Sequence, residues 1–164
     1  MFDAECNVIA IFGHRRVCSP SLVSERLYWR LEEKIIQGYN KILIGCHGDF
    51  DKIALDVCCE LKKCYNIEIN VVLTSLTMLS RKRGFATADI YDKYKTIMYD
   101  IENVHYKNKI IVSNRHMVDD SDLVICYVNY DSGWTGARQA VDYAKKKGKE
   151  IVNIFDMKDI FFNN

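Results

Sequence analysis

Asn7-Val8-Ile9-Ala10-Ile11-Phe12-Gly13-His14-Arg15 is the stretch that decides the fold class. From Val8 to Phe12 no polar residue interrupts the run, so the segment offers water no face. A strand apolar on both sides needs cover on both sides, which is the situation of a central strand in a parallel sheet. The run stops at a glycine, and charged and polar residues follow at once.

The same pattern recurs along the chain. Lys41-Ile42-Leu43-Ile44 is broken by Gly45-Cys46-His47-Gly48, and Ile67-Glu68-Ile69-Asn70-Val71-Val72-Leu73 follows later. Asp122-Leu123-Val124-Ile125-Cys126-Tyr127-Val128 and Glu150-Ile151-Val152-Asn153-Ile154-Phe155 complete the set. Between them the apolar period lengthens to that of a helix. Val23, Leu27, Leu31 and Ile35 recur every four residues, with Ser19-Pro20 reading as N-cap and first helical position and Gly38 as the stop. Ile53, Ala54, Val57, Cys58 and Leu61 mark a second helix, for which Asp49 or Asp51 reads as a cap. Ala137, Ala140, Val141 and Ala144 mark another, ending in Lys145-Lys146-Lys147-Gly148.

Buried strands alternating with helices predict an α/β fold, a doubly wound, mostly parallel Rossmann-like sheet. Residues 1–164 read as a single domain, without repeats, low-complexity tracts or linkers, and with one proline. Residues 76–108, with the basic cluster Arg81-Lys82-Arg83, give no clear pattern.

Composition narrows the function classes. Apolar residues make up 49% and charged residues 27% of 164, with a formal net charge of +1. Such a mean field does not point to nucleic acid or to a membrane surface. No stretch reaches the roughly 20 apolar residues of a membrane span, and the acidic start Met1–Cys6 is unlike a secretory leader. The expected location is cytoplasmic. The seven cysteines are odd in number, none forms a CxxC pair, and the four histidines are scattered, so neither a disulfide framework nor a metal site is expected.

In a doubly wound sheet, ligands bind outside the carboxyl ends of the strands. Three loops bring candidate residues there. The first carries Gly13, His14 and Arg15; the second carries Gly45, His47, Gly48 and Asp49. The third is Asn129-Tyr130-Asp131-Ser132-Gly133-Trp134-Thr135-Gly136. Glycines admit close backbone approach, a helix N-terminus with hydroxyls suits phosphate, and Arg15 offers a planar fork for an anion. Gly13, Ser132, Gly133 and Thr135 are expected around phosphate, Arg15 against charge, and His14, Asp49 and Asn114 in polar contacts. Trp134 reads equally as a core anchor or as a wall for a base. GxGxxG, GxxxxGK[ST] and GxSxG motifs are absent, which disfavours an ordinary NAD dehydrogenase, a P-loop NTPase and an α/β-hydrolase.

These loops resemble the YpsA-like branch of the SLOG superfamily. Gly13-His14-Arg15 is similar to its GHR signature, and Gly45 to Asp51 to its glycine- and aspartate-bearing segment after the second strand. Asn114-Arg115-His116-Met117 through Asp122 resembles the lead-in to a later strand, which adds Arg115 to the candidates. Ser132-Gly133-Trp134-Thr135 is similar to the G-G-T loop, and Tyr143-Ala144 to Gly148-Lys149 to a YA-x-x-x-GK helix end. The resemblance implies a Rossmann-like fold related to the LONELY GUY enzymes and a nucleotide or NAD- or ADP-ribose-like ligand. It also implies self-association as a homodimer, and no required cofactor. The enzymatic branch cleaves an N-glycosidic bond with an arginine four residues before the methionine and a glutamate three after the threonine; here those positions hold Ser113 and Arg138. The expectation is therefore binding or sensing rather than catalysis. The alternatives are an N-glycosidic hydrolase with a relocated acid and a scaffold associated with nucleic acid.

Overall fold

Six parallel strands form one sheet in the computed structural model, which describes residues 7–75 and 94–155. The strands are β1 (Asn7–Gly13), β2 (Tyr39–Ile44), β3 (Glu68–Leu73), β4 (Lys95–Met98), β5 (Leu123–Tyr127) and β6 (Glu150–Asn153). Their order across the sheet is β4-β3-β2-β1-β5-β6. The described helices are α1 (Pro20–Ile36), α2 (Asp49–Lys62), α3 (Lys109–Asp119) and α4 (Gly136–Lys146).

Side-chain alternation along β1 divides the core in two. Ile9 and Ile11 face one way and pack with Val23, Leu27 and Leu31 of α1 and with Ala54, Cys58 and Leu61 of α2. Val8, Ala10 and Phe12 face the other way and pack with Met117 and Val118 of α3 and with Ala140, Val141 and Ala144 of α4. One strand thus supplies two cores, as its uninterrupted apolar sequence required. The chain is a doubly wound, Rossmann-like α/β domain.

The register fixes where the site lies. β1 pairs with β2 on one side and with β5 on the other, Ile11 matching Ile44 and Ile125. The chain winds outward from β1 to β4 and then crosses back to place β5 beside β1. Strand order reverses between β1 and β5, and a crevice opens beyond their carboxyl ends.

Two local expectations are refined. Pro20 does open α1, but Ser19 sits in the left-handed region (φ 57°, ψ 62°) and its side chain makes no capping bond. Within 76–108, a short strand (β4) and a 3-10 turn (Tyr106–Asn108) emerge, and α3 begins directly after at Lys109. Arg81, Lys82 and Arg83 lie outside the described residues. Among the described residues no helix is long and apolar enough to cross a membrane.

Candidate functional site

The loops after β1, β2 and β5 enclose a cavity of about 530 Å³ at the switch point, within the usual range for small-molecule sites. The first loop contributes Gly13, His14, Arg15 and Arg16, and the second Gly45, His47, Gly48 and Asp51. The third contributes Ser132, Thr135, Gly136 and Ala137, and α3 closes the far side with Ile110 and Asn114.

The first two loops are locked together. Gly48 lies against the Arg15 backbone so closely that a Cβ would stand 2.5 Å from Arg15 Cα. Asp49 N–H donates to Arg15 O at 2.9 Å, and Val17 N–H donates back to Asp49 Oδ2 at 3.2 Å. Gly13 is required for a different contact. A Cβ there would meet the Phe50 ring at 2.1 Å, so the absent side chain makes room for a core aromatic.

Asp51 is the third residue of α2, and its carboxylate turns back over the helix start. Oδ2 accepts the His47 N–H at 2.8 Å, and the Gly48 N–H is a further donor to this carboxylate. This is the reach-back half of a capping box. Burial nevertheless pushes the carboxyl up to about 6, against those two donors and the Arg15 charge, which pull it down. Burial, helped by the Arg15 charge, also holds His47 down to about 4, so its imidazole is neutral at physiological pH.

His14 ties the first loop to the third. The Asn129 N–H donates to His14 Nε2 at 2.8 Å, and Ser132 Oγ lies 3.4 Å from the same nitrogen while donating to Asn129 O at 2.8 Å. A nitrogen that accepts an N–H carries a lone pair, so the ring proton sits on Nδ1. Burial lowers the His14 pKa, in keeping with a neutral ring.

The two helix N-termini at this edge differ. In α2 the first N–H is taken by Arg15 O, and the Asp51 carboxylate folds back over the entry. In α4 Thr135 Oγ1 accepts the Arg138 N–H at 3.2 Å. Gly136 and Ala137, whose N–H groups precede the first intrahelical bond, border the cavity. An anion placed there would receive two donors and the positive end of an 11-residue helix dipole.

Of the sequence candidates, Gly13, His14, Arg15, Gly45, His47, Gly48, Asn114, Ser132 and Thr135 all border the cavity. Asp49 faces an adjoining opening. Gly133, Trp134 and Arg115 do not border the cavity. Trp134 is 69% exposed, which excludes the core-anchor reading, and the Arg138 guanidinium sits 5.3 Å from its ring centroid. Arg115 lies over Tyr143 at 5.4 Å. The two positions that match the enzymatic branch are also placed. Ser113 is buried, and Arg138 braces the third loop by donating to Tyr130 O at 3.0 Å and Gly133 O at 3.3 Å. The lining residues outside the sequence candidates are Ile11, Phe12, Arg16, Ile110, Gly136, Ala137 and Asp51, the last of which reads from sequence as a cap, a role that does not exclude ligand contact. Among the described residues no group of three or more His, Cys, Asp or Glu side chains is placed to hold a metal ion.

No protein-family model matches the chain, and no curated protein matches it. Among solved structures, the chain is similar to a chorismate mutase/shikimate 5-dehydrogenase fusion protein from Clostridium acetobutylicum, with 12% identity and a TM-score of 0.40. That likeness covers 91% of this chain and 85% of the other.

Proposed function

We propose that the chain binds a nucleotide or nucleotide-derived anion in this crevice and acts as a binding or sensing module, in line with the SLOG-like loops of its sequence. The observation that carries the reading is the convergence of Gly136 and Ala137, in the first turn of α4, with Arg15 on one cavity at the strand-order switch. Backbone donors and a helix dipole suit a phosphate. Ile110 and Phe12 give the same cavity an apolar wall for a base or ribose.

The second reading, hydrolysis of an N-glycosidic bond, rests on Asp51. A carboxyl raised to about 6 on a cavity wall has the proton affinity of a general acid. Its Oδ2 accepts the His47 N–H at the helix start.

A thermal-shift screen against nucleoside monophosphates, NAD, ADP-ribose and cyclic nucleotides, with chromatography of each mixture, separates the two. Ligand at 100 times its Kd stabilises the fold by about 2.7 kcal/mol, or about 5–10 °C for a domain of this size. A shift with intact ligand that is lost in Arg15→Ala supports binding. Free base in the mixture supports hydrolysis, and no shift with any compound refutes the nucleotide crevice.

A further inference from the structure

A second cavity, of about 910 Å³, opens beside the crevice and shares Arg15, Arg16, His47 and Gly48 with it. Its remaining walls are Val17, Cys18, Asp49 and Lys52. The permanent charges around it are three cations, on Arg15, Arg16 and Lys52, and one carboxylate, on Asp49. That carboxylate is already engaged by the Val17 N–H. His47 adds no charge at physiological pH.

Solvated long side chains are the ordinary content of a protein surface, so the pairing pattern matters. Some cations elsewhere on this surface have partners, Arg30 with Glu33 at 2.7 Å, Lys34 with Glu150 at 2.8 Å and Lys63 with Glu60 at 2.7 Å, whereas Lys62, Lys109 and Lys146 have no ion pair among the described residues, so what sets the mouth apart is that its cations line one cavity. Among the described residues, Arg15, Arg16 and Lys52 have no such ion pair, and they stand together at the mouth of the crevice. Three like charges on one patch repel one another, and an anion there relieves that repulsion. The backbone bearing Arg15 is pinned by its contact with Gly48 and by the Asp49 N–H. The cations therefore stand on a fixed platform.

We infer that this mouth is a second anionic subsite, and that the ligand of the crevice carries a further phosphate lying over Arg16 and Lys52. The ligand class is then a nucleoside diphosphate or a derivative built on one, rather than a nucleoside monophosphate. The inference rests on the nucleotide reading of the crevice. Arg15 and Arg16 line both cavities, whereas Lys52 belongs to the mouth alone.

The test is calorimetric titration of the full chain with the four common ribonucleoside 5′-monophosphates and their 5′-diphosphates. It is repeated on a chain carrying Lys52→Gln, which belongs to the mouth and not to the crevice. Two partly exposed charge contacts give the diphosphate about a tenfold advantage over its monophosphate, and the advantage shrinks in 0.5 M salt. Lys52→Gln lowers that ratio about threefold and leaves monophosphate affinity in place. Equal affinities in the unmodified chain, a ratio that survives the substitution, or equal weakening of both nucleotides overturns the second subsite. In those cases the crevice reading stands. Failure of all eight nucleotides to bind overturns the crevice reading and the subsite with it.

Discussion

Replacing Gly13 by alanine puts one methyl group into the side of a buried ring. The new Cβ would stand 2.1, 2.2 and 2.7 Å from three carbons of Phe50, which is fully buried. Phe50 cannot swing aside freely, because it stacks on Tyr127 with centroids 5.5 Å apart and planes at 16°, and Tyr127 in turn meets Phe155 at 5.2 Å. Gly13 is not among the residues with positive φ, so alanine brings no backbone strain of its own. The cost is overpacking alone, about 2 kcal/mol, which lowers Tm by about 4–8 °C in a domain of this size. The cause can be isolated with Phe50→Ala, which removes the two nearest carbons and on its own costs about 3–5 kcal/mol through lost burial and a cavity. With the two nearest carbons gone only Cβ, at 2.7 Å, still meets the alanine methyl, and Gly13→Ala then costs under about 1 kcal/mol. Thermal and urea unfolding of the four chains gives a coupling of more than about 1 kcal/mol. Additive losses would show that Gly13 serves something other than the Phe50 contact, and would refute the packing account of the first loop.

Three further outcomes follow from the site. Asp51 has its folded pKa raised from 3.8 to about 6, so the fold prefers the protonated carboxyl. Stability should fall as pH rises from about 4 to about 6 and level off above, by about 3 kcal/mol in all. Asp51→Asn should flatten that window in pH-dependent urea unfolding. His14→Ala leaves the Asn129 N–H without its acceptor and should cost about 1 kcal/mol locally. Hydrogen exchange at the Asn129 amide should accelerate about fivefold, whereas an unchanged rate would mean that His14 does not latch the third loop. Thr135→Val removes the oxygen that accepts the Arg138 N–H and should lose about 1 kcal/mol, while Thr135→Ser should keep most of it. Equal losses from both, measured by thermal unfolding, would show that the hydroxyl is not the capping group.

Much of this architecture was legible because burial on both faces leaves a strong signature. Strands such as β1 and β5 have no polar face to obscure, and the helical stripes of α1, α2 and α4 coincide with residues that prove buried. β4 escaped because it is a four-residue edge strand whose Lys95 and Met98 are exposed, too short for a period to register. α3 escaped because Ile110, Ile111 and Val112 form a β-branched run, and its fully buried residues are only Ser113, Met117 and Val118. Position along the sheet edge was readable from topology rules alone, which is why nine candidate residues meet at one cavity. Side-chain direction was not. Trp134 and Arg115 lie on or near the right loops, yet both are engaged in stacking away from the cavity. Asp51 looked like a cap from sequence and is one; its place on the cavity wall depends on how α2 meets Gly45, a contact no local pattern encodes. A Cβ on Gly45 would stand 2.9 Å from Asp51 Oδ2.

The central claim is that an anionic nucleotide occupies the crevice between β1 and β5, and amide chemical-shift mapping tests it most directly. Titrating isotopically labelled protein with a nucleoside diphosphate and with ADP-ribose should perturb the amides of Gly13 to Arg15, His47 and Gly48, and Asn129 to Ala137 together. The largest shifts should fall at Gly136 and Ala137, which border the cavity. Saturable shifts confined to any other surface, or none at millimolar ligand, would contradict the account.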